Sequence, residues 1–460
     1  MDPKTPTGTK DLNSNDVYLR EKIIFKIKKH FELYGGKPIV TPIIECMETI
    51  QNLYGEEFNK LVYSINDDKT INDDKIIDES ISEEKIINKN TKQKLLLRYD
   101  LTVPCSRYVV NNGLVNSKLY QIGYVFRKDD PQFNKGRYRS FQQADFDIIG
   151  TDYDSLMQEI EILSLLKGIL IDLLGEKKFK IRVNNKKILL NVLNFIGANM
   201  KDFDTICSSI DKLDKLSKDE IKDELINHKK IDEVIVSKLY EYIDITKNKN
   251  NSKDILNLLL LNKYITFETF NEMNLLFNYI EKFEDLNNHI FLDQTLCRGM
   301  LYYDGLIFEV EYYDKSIISS SIAAGGRYNN MLNKLGNKGI IPAIGLSIGI
   351  DRIALILEKK KKKKKKNKKI LKIFIATIGQ NMEIHKLILA NELRKNNLNV
   401  EYFYNNTKMK QQLDYVLNKQ ITYMLIIGEN EIKNNTIKLK IIEEHKEIII
   451  QRNEILRFFI

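Results

Sequence analysis

Between Asp16 and Tyr34, apolar residues recur at Val17, Ile24, Ile27, Phe31 and Tyr34, behind a polar "NSND" start and ahead of Gly35 and Gly36. Spacing of that kind predicts an amphipathic helix. "KPIVTPIIE" follows, with β-branched residues around Pro42, and a proline inside a strand places it at an edge or a bend. Residues 66–92 change character: polar, acidic and without a strong apolar period, they read as a solvated insertion. "LLLRYDLTVP" then resumes as a strand ending at Pro104.

Two β-prone runs, from Tyr120 to Arg127 and from Arg137 to Ile149, predict a hairpin around a long loop holding Asp129, Asp130, Pro131 and Gly136. "YDSLMQEIEILSLLKGILIDLLG" predicts a long apolar helix, and residues 186–288 read as an inserted helical module. Strands return in "IFLDQTLCRGMLYYDGLIFEVEYYD" and "SIISSSIAAGGRYNNML", and in "IPAIGLSIGIDRIALILE" a strand gives way to a helix near Ile350. Successive strands lack the regular helix alternation of parallel units, so the sheet is expected to be antiparallel and the fold α+β. Residues 370–460 alternate strands and helices as a compact α/β module without an acid-base constellation, more in keeping with binding than with a second enzyme.

With 460 residues the chain exceeds what one hydrophobic core usually sustains, so two or three domains are expected. A net charge of +9 spread over 72 basic and 63 acidic residues leaves most charges to solvated surface and gives only weak support for a nucleic-acid partner. Cys46, Cys105, Cys207 and Cys297 lie far apart without C-x-x-C spacing, and five scattered histidines add no ligand pattern, so neither a disulfide framework nor a protein-held metal is expected. The chain holds no apolar run of about 18 residues, and its start lacks a signal or transit character, so a cytosolic protein without a membrane partner is expected. Lys359 to Lys366 are eight consecutive lysines, read either as a solvated linker or as a contact to RNA phosphates.

The chemistry concentrates in the hairpin. In an extended strand, alternate residues share a face, which would line up Arg137, Arg139, Phe141, Gln143, Asp145 and Asp147, with Gln142, Ala144, Phe146 and Ile148 opposite. The first face carries too many charges to bury unpaired. One reading is an internal salt-bridge network; the other is a cleft for a ligand with phosphates at one end and an ammonium or imidazole at the other. On the strand expected for "RYDLTVP", Asp100 and Thr102 would share a face and accept from an ammonium. Arg298, Arg327 and Arg352 stand in glycine-flanked or helix-start contexts that suit bidentate phosphate recognition, and Tyr302 and Tyr303 follow Arg298 closely. Neither a Walker A sequence nor G-x-G-x-x-G is present.

These segments together, "TPTGTKDL", "RYDLTVP", "FRKDDPQFNKGRYRSFQQADFDIIG", "RGMLYYDG", "AAGGRY" and "GLSIGIDR", resemble the histidyl-tRNA synthetases of the eukaryotic cytosolic type, within the class II aminoacyl-tRNA synthetases. The resemblance runs nearly end to end. It implies a class II antiparallel sheet flanked by helices in a catalytic domain over 1–358, interrupted by the acidic insertion and the helical insertion. A polylysine linker over 359–369 and an α/β anticodon-binding domain over 370–460 would follow.

It also implies roles. Arg127 would bind the α-phosphate of ATP and the histidine carboxylate, Arg137 the β and γ phosphates, and Arg352 the adenine and γ-phosphate. Asp100, Thr102 and Gln143 would take the α-ammonium of histidine; Asp147 and Tyr303, with Tyr302 near, the imidazole. Arg298 would contact the α-phosphate, making it catalytic alongside Arg127. ATP would arrive with magnesium, and the implied partners are L-histidine, tRNA(His) and a second copy of the chain, joined partly through the first helix and the strand by Pro42. Arg139 and Asp145 receive no role and are expected to form a structural ion pair. Two positions depart from the family pattern: Leu301 stands where an acidic residue is usual, and Asp351 where the third motif has glutamate. A non-catalytic paralogue and a synthetase for proline or threonine are the competing readings, the first disfavoured by the presence of the ligand-binding residues and the second by the two histidine-specific segments.

Overall fold

The computed structural model describes residues 3–50, 53, 61–65, 94–150, 155–213, 216–246, 249, 251–297, 302–336, 339–363, 372–405 and 407–459. The acidic insertion over 66–92 lies outside them, as do Arg298 and Leu301. The chain divides into two compact units, Met1–Lys363 and Lys364–Ile460.

In chain order, the strands of the first unit are β1 (Lys37–Pro38), β2 (Ile44–Cys46), β3 (Ser64–Ile65), β4 (Leu95–Leu97), β5 (Ser117–Phe126), β6 (Ser140–Ile149), β7 (Phe179–Asn185), β8 (Ile290–Leu292), β9 (Leu306–Tyr312), β10 (Ala323–Arg327) and β11 (Ala343–Gly349). One sheet runs β1-β5-β6-β11-β10-β9-β7-β8, and a small one runs β2-β4-β3. The central pairings of the large sheet are antiparallel, whereas β1 joins β5 and β8 joins β7 in parallel at the two margins.

The two faces of β6 meet different surroundings. Ala144, Phe146 and Ile148 enter a large apolar core with the first helix, Ser14–Leu33, and the helix Met157–Leu174. Phe31 meets Phe146 there with ring centroids 5.2 Å apart. Burying each such side chain contributes about 1.5–3 kcal/mol. The first helix starts where Asn13 accepts from the amides of Asn15 and Asp16. Its buried seam is Leu19, Arg20, Ile23, Ile27 and Phe31, so Val17, expected on that stripe, is instead exposed.

"RYDLTVP" departs most from its expected strand. β4 stops at Leu97 and Thr102–Asn111 is a helix. Asp100 Oδ1 accepts from the Val103 amide at 3.1 Å, and Pro104 sits in the first turn, where its missing N–H costs nothing. The β-branched Thr102 and Val103 are therefore overruled by a cap and a well-placed proline. Behind this helix a second core gathers Val103, Cys105, Val109, Tyr328, Met331 and Ala343.

Helices between Lys186 and Asn287 extend the large core, and the helix Ile350–Lys363 begins where β11 ends, at the position read from sequence. That helix continues into the lysine run. Lys359 Nζ donates to the Ile317 carbonyl at 2.8 Å and Lys360 Nζ to the Leu174 carbonyl at 3.0 Å, so the first lysines are held by the unit. Among the described residues, no helix is long and apolar enough to cross a membrane.

The second unit holds β12 (Lys372–Ile378), β13 (Asn399–Tyr402), β14 (Tyr423–Gly428), β15 (Thr436–Ile441) and β16 (Lys446–Gln451), in the order β13-β12-β14-β15-β16. β12 is parallel to both neighbours; β15 and β16 complete the sheet antiparallel. Cores form on both faces, Ile373 and Ile375 in one and Phe374 and Ala376 in the other.

Candidate active site

The polar face of β6 supplies Gln143, Asp145 and Asp147, the last two buried. Arg137 and Arg139 do not share it, because β6 begins only at Ser140; Arg137 instead bridges back to Gln132 in the loop. Opposite Asp147 on β11 stands Gly345, and a Cβ there would lie 2.1 Å from Asp147 Oδ1, so glycine gives the carboxyl its room. Tyr328 OH donates to that oxygen at 2.6 Å, and the Cys105 thiol also hydrogen-bonds Asp147. Burial pushes the Asp147 carboxyl up to about 7, against the pull of these two hydrogen bonds, and Asp100 adds to the rise. Asp145 is raised well above its ordinary value by burial first and by neighbouring Asp147 second.

Gln143 Nε2 donates to Ser347 Oγ at 2.9 Å, and Ser347 Oγ donates to Asp145 Oδ1 at 2.6 Å. Among the described residues, Gln143 Oε1 and Asp145 Oδ2 are buried without a hydrogen-bond partner. Asp145 therefore engages Ser347 and not Arg139, whose guanidinium reaches the carbonyls of Asp129 and Thr7. The expected ion pair between Arg139 and Asp145 is not formed.

Tyr302 and Tyr303 stand side by side with ring centroids 4.2 Å apart, and Tyr302 OH donates to Tyr303 OH at 3.0 Å. Burial raises both phenols, and both feel the charges of Asp100 and Asp145. Tyr303 packs so close to Gly326 that a Cβ there would meet its ring at 2.9 Å. Asp100 faces the same cluster while also capping its helix, and Thr102 opens that helix, so the two share a helix start and not a strand face. Arg127 follows β5 directly; its Nε donates to the Tyr99 carbonyl at 3.1 Å and its guanidinium lies 4.2 Å over the Tyr99 ring. Its guanidinium also lies 5.3 Å over the ring of Phe141, two residues before Gln143 on the same face of β6, which places it at the mouth of the polar row, and its charge acts on Asp145 and Tyr302.

The hairpin loop returns beside the last motif. A Cβ on Gly136, whose φ is +65°, would lie 3.2 Å from Arg352 Cγ, so Arg137 emerges next to Arg352. Arg352 Nη1 donates to the Ser321 carbonyl. Its neighbour Asp351 accepts from the buried Arg20, Nε at 2.9 Å and Nη2 at 2.8 Å, and from the Gln142 amide at 2.8 Å. The shorter acid at this position thus still ties the first helix, β6 and the Arg352 helix together.

Arg327, a phosphate candidate by sequence, is buried against Glu159 and bonds Gln158 and Asn329, which makes it part of the framework. Arg298 lies outside the described residues. Sequence reading left Tyr328, Cys105, Ser347 and Gly345 without roles. Tyr328 ends the quoted "AAGGRY" and Gly345 and Ser347 fall within "GLSIG", so the motifs contained the signal.

A permanently charged guanidinium at the mouth, a row of buried acceptors and a tyrosine pair can orient a small zwitterion beside a phosphate. The fold is that of the solved histidyl-tRNA synthetase from Nostoc sp. PCC 7120, which matches with a TM-score of 0.72 at 22% identity and coverage of 100% of each chain. Residues 78–353 match the family model described as histidyl-tRNA synthetase, and residues 372–460 match that described as anticodon binding domain. The cytoplasmic histidine–tRNA ligase of Dictyostelium discoideum is 35% identical, over 98% of this chain and 89% of its own. The mitochondrial histidine–tRNA ligase of Mus musculus is 32% identical, over 98% and 87%. The chain belongs to the histidyl-tRNA synthetase family.

Proposed function

We propose that this chain joins L-histidine to tRNA(His) in two steps at the β6 site. The histidine carboxylate attacks the α-phosphorus of ATP and expels pyrophosphate; the terminal ribose hydroxyl of the tRNA then attacks the acyl carbon and releases AMP. The observation that supports this reading most is the row of Gln143, Asp145 and Asp147 facing Tyr302 and Tyr303, with Arg127 at its mouth.

In this reading Asp147 and Tyr303, with Tyr302 beside them, hold the imidazole, and Asp100, Thr102 and Gln143 receive the α-ammonium. Arg127 and Arg298 meet the charge that builds on the α-phosphate, where a preorganised donor is worth about 3 kcal/mol. Arg137 and Arg352 hold the outer phosphates and adenine, and magnesium travels with ATP, bound mostly by phosphate and water. Residues 370–460 read the anticodon, the helices within 186–288 form a module inserted into the catalytic domain, and the lysines from 364 onward link the two units. The protein acts in the cytoplasm as a homodimer formed partly through its first helix. Exposed Phe25 and Leu33 on that helix support the dimer.

Purified protein given ATP, radiolabelled L-histidine and tRNA(His) is expected to produce acid-precipitable histidyl-tRNA. Absence of charged tRNA with a folded protein would overturn the proposal.

A further inference from the structure

A donor count along one short chain of hydrogen bonds fixes which end of the Gln143 amide faces the site. Asp145 and Ser347 are direct cross-strand partners on β6 and β11. With Asp145 as the carboxylate, its Oδ1 accepts from Ser347 Oγ at 2.6 Å, which uses the single proton of that hydroxyl. Ser347 can then only accept from Gln143, and it does so from Nε2 at 2.9 Å. With the amide N–H₂ turned to Ser347, Oε1 is the end that remains, buried and without a partner among the described residues. Gln143 stands opposite Gly349 on β11 and Gly123 on β5; the Arg98 guanidinium packs over Gly123, where a Cβ would lie 2.3 Å from its Nη2, and still leaves Gln143 Oε1 without a hydrogen bond among the described residues. A buried acceptor left this way is costly unless a donor arrives.

We infer that Asp145 and Ser347 are positioning residues for amino-acid binding: through Ser347, Asp145 locks the Gln143 amide with its oxygen toward the α-ammonium of the substrate. This rests on the proposed function for its ligand and adds to it a role for two residues that receive none there. Without the lock, the amide can rotate and present N–H₂ to a cation, which repels it. The opposite polarity can also be built. In Asp145→Asn the new amide can donate to Ser347, whose proton then points at residue 143, and a carboxylate there accepts it while keeping its other oxygen for the ammonium.

Amino-acid-dependent exchange of pyrophosphate into ATP separates the outcomes. Ser347→Ala and Asp145→Asn are each expected to raise the KM for histidine by about tenfold or more while the KM for ATP stays within about twofold. Adding Gln143→Glu to Asp145→Asn is expected to recover most of that loss. Thermal melting of each variant checks that it is folded, and Ser347→Ala, which removes one half-buried hydroxyl, carries the test if Asp145→Asn does not fold. An unchanged histidine KM, an equal rise in the KM for ATP, or a double variant no better than Asp145→Asn would overturn the inference. Wild-type protein that exchanges with no amino acid would overturn the proposed function instead.

Discussion

β6 and β12 are both central strands, and they are built for different ends. β12 is apolar on both faces: Ile373 and Ile375 fill one core, Phe374 and Ala376 the other. Its polar neighbours are closed among themselves, with the Thr377 amide donating to Gln412 Oε1 at 3.1 Å and Gln412 Nε2 donating back to the Thr377 carbonyl at 2.9 Å. β6 is apolar on one face only, and its other face buries two carboxyls and an amide with acceptors left over. A strand of the first kind is finished when it folds. A strand of the second kind is stabilised fully only when a ligand supplies donors.

Breaking the apolar strand should give the largest effect on folding. Phe374→Ala is expected to destabilise the second unit by about 3–5 kcal/mol in denaturant titration while leaving pyrophosphate exchange intact. In the first unit, Arg20→Met strips the buried Asp351 of its cation and should cost about 3 kcal/mol of stability, with a raised KM for ATP because Asp351 anchors the Arg352 helix. On the polar face of β6 the expectation inverts. Asp147→Asn should lower kcat/KM for histidine by about a hundredfold and yet leave the melting temperature equal or higher near neutral pH.

The smallest expected effect is a pH slope. Asp147 is held near 7, above its ordinary value, so the stability linked to its protonated form is fully present below about pH 4 and is lost as pH rises through about 7. Melting temperature of the ligand-free protein should therefore fall from pH 5 to 7 and level off above, and Asp147→Asn should flatten that fall. Binding runs the other way. The carboxylate accepts from the imidazole N–H more strongly than the protonated acid, so the KM for histidine should drop by up to about tenfold between pH 6 and 7 and level off above. A KM that rises over that range would remove Asp147 from the imidazole site.

The difference between the strands also explains what the sequence revealed. β12 and its neighbours read directly because each is a short apolar run bounded by turns, and the β5–β6 hairpin and the helix start at Ile350 were equally plain. "RYDLTVP" was misread because β-branched residues signal a strand, while the Asp100 cap and first-turn Pro104 act only once the helix exists. Arg327 was misread because an arginine for phosphate and one for a buried carboxylate look alike, and its partner Glu159 lies 168 positions away. Ser347, Gly345 and Tyr328 acquire their roles from the β6–β11 register and the contacts across it, which no local pattern records.

Exchange of pyrophosphate into ATP, measured for wild-type protein with each amino acid in turn, tests the central claim most directly. L-histidine alone should support exchange, with proline and threonine at background and the signal collapsing in Asp147→Asn. Exchange driven by another amino acid, or none with histidine, would contradict it.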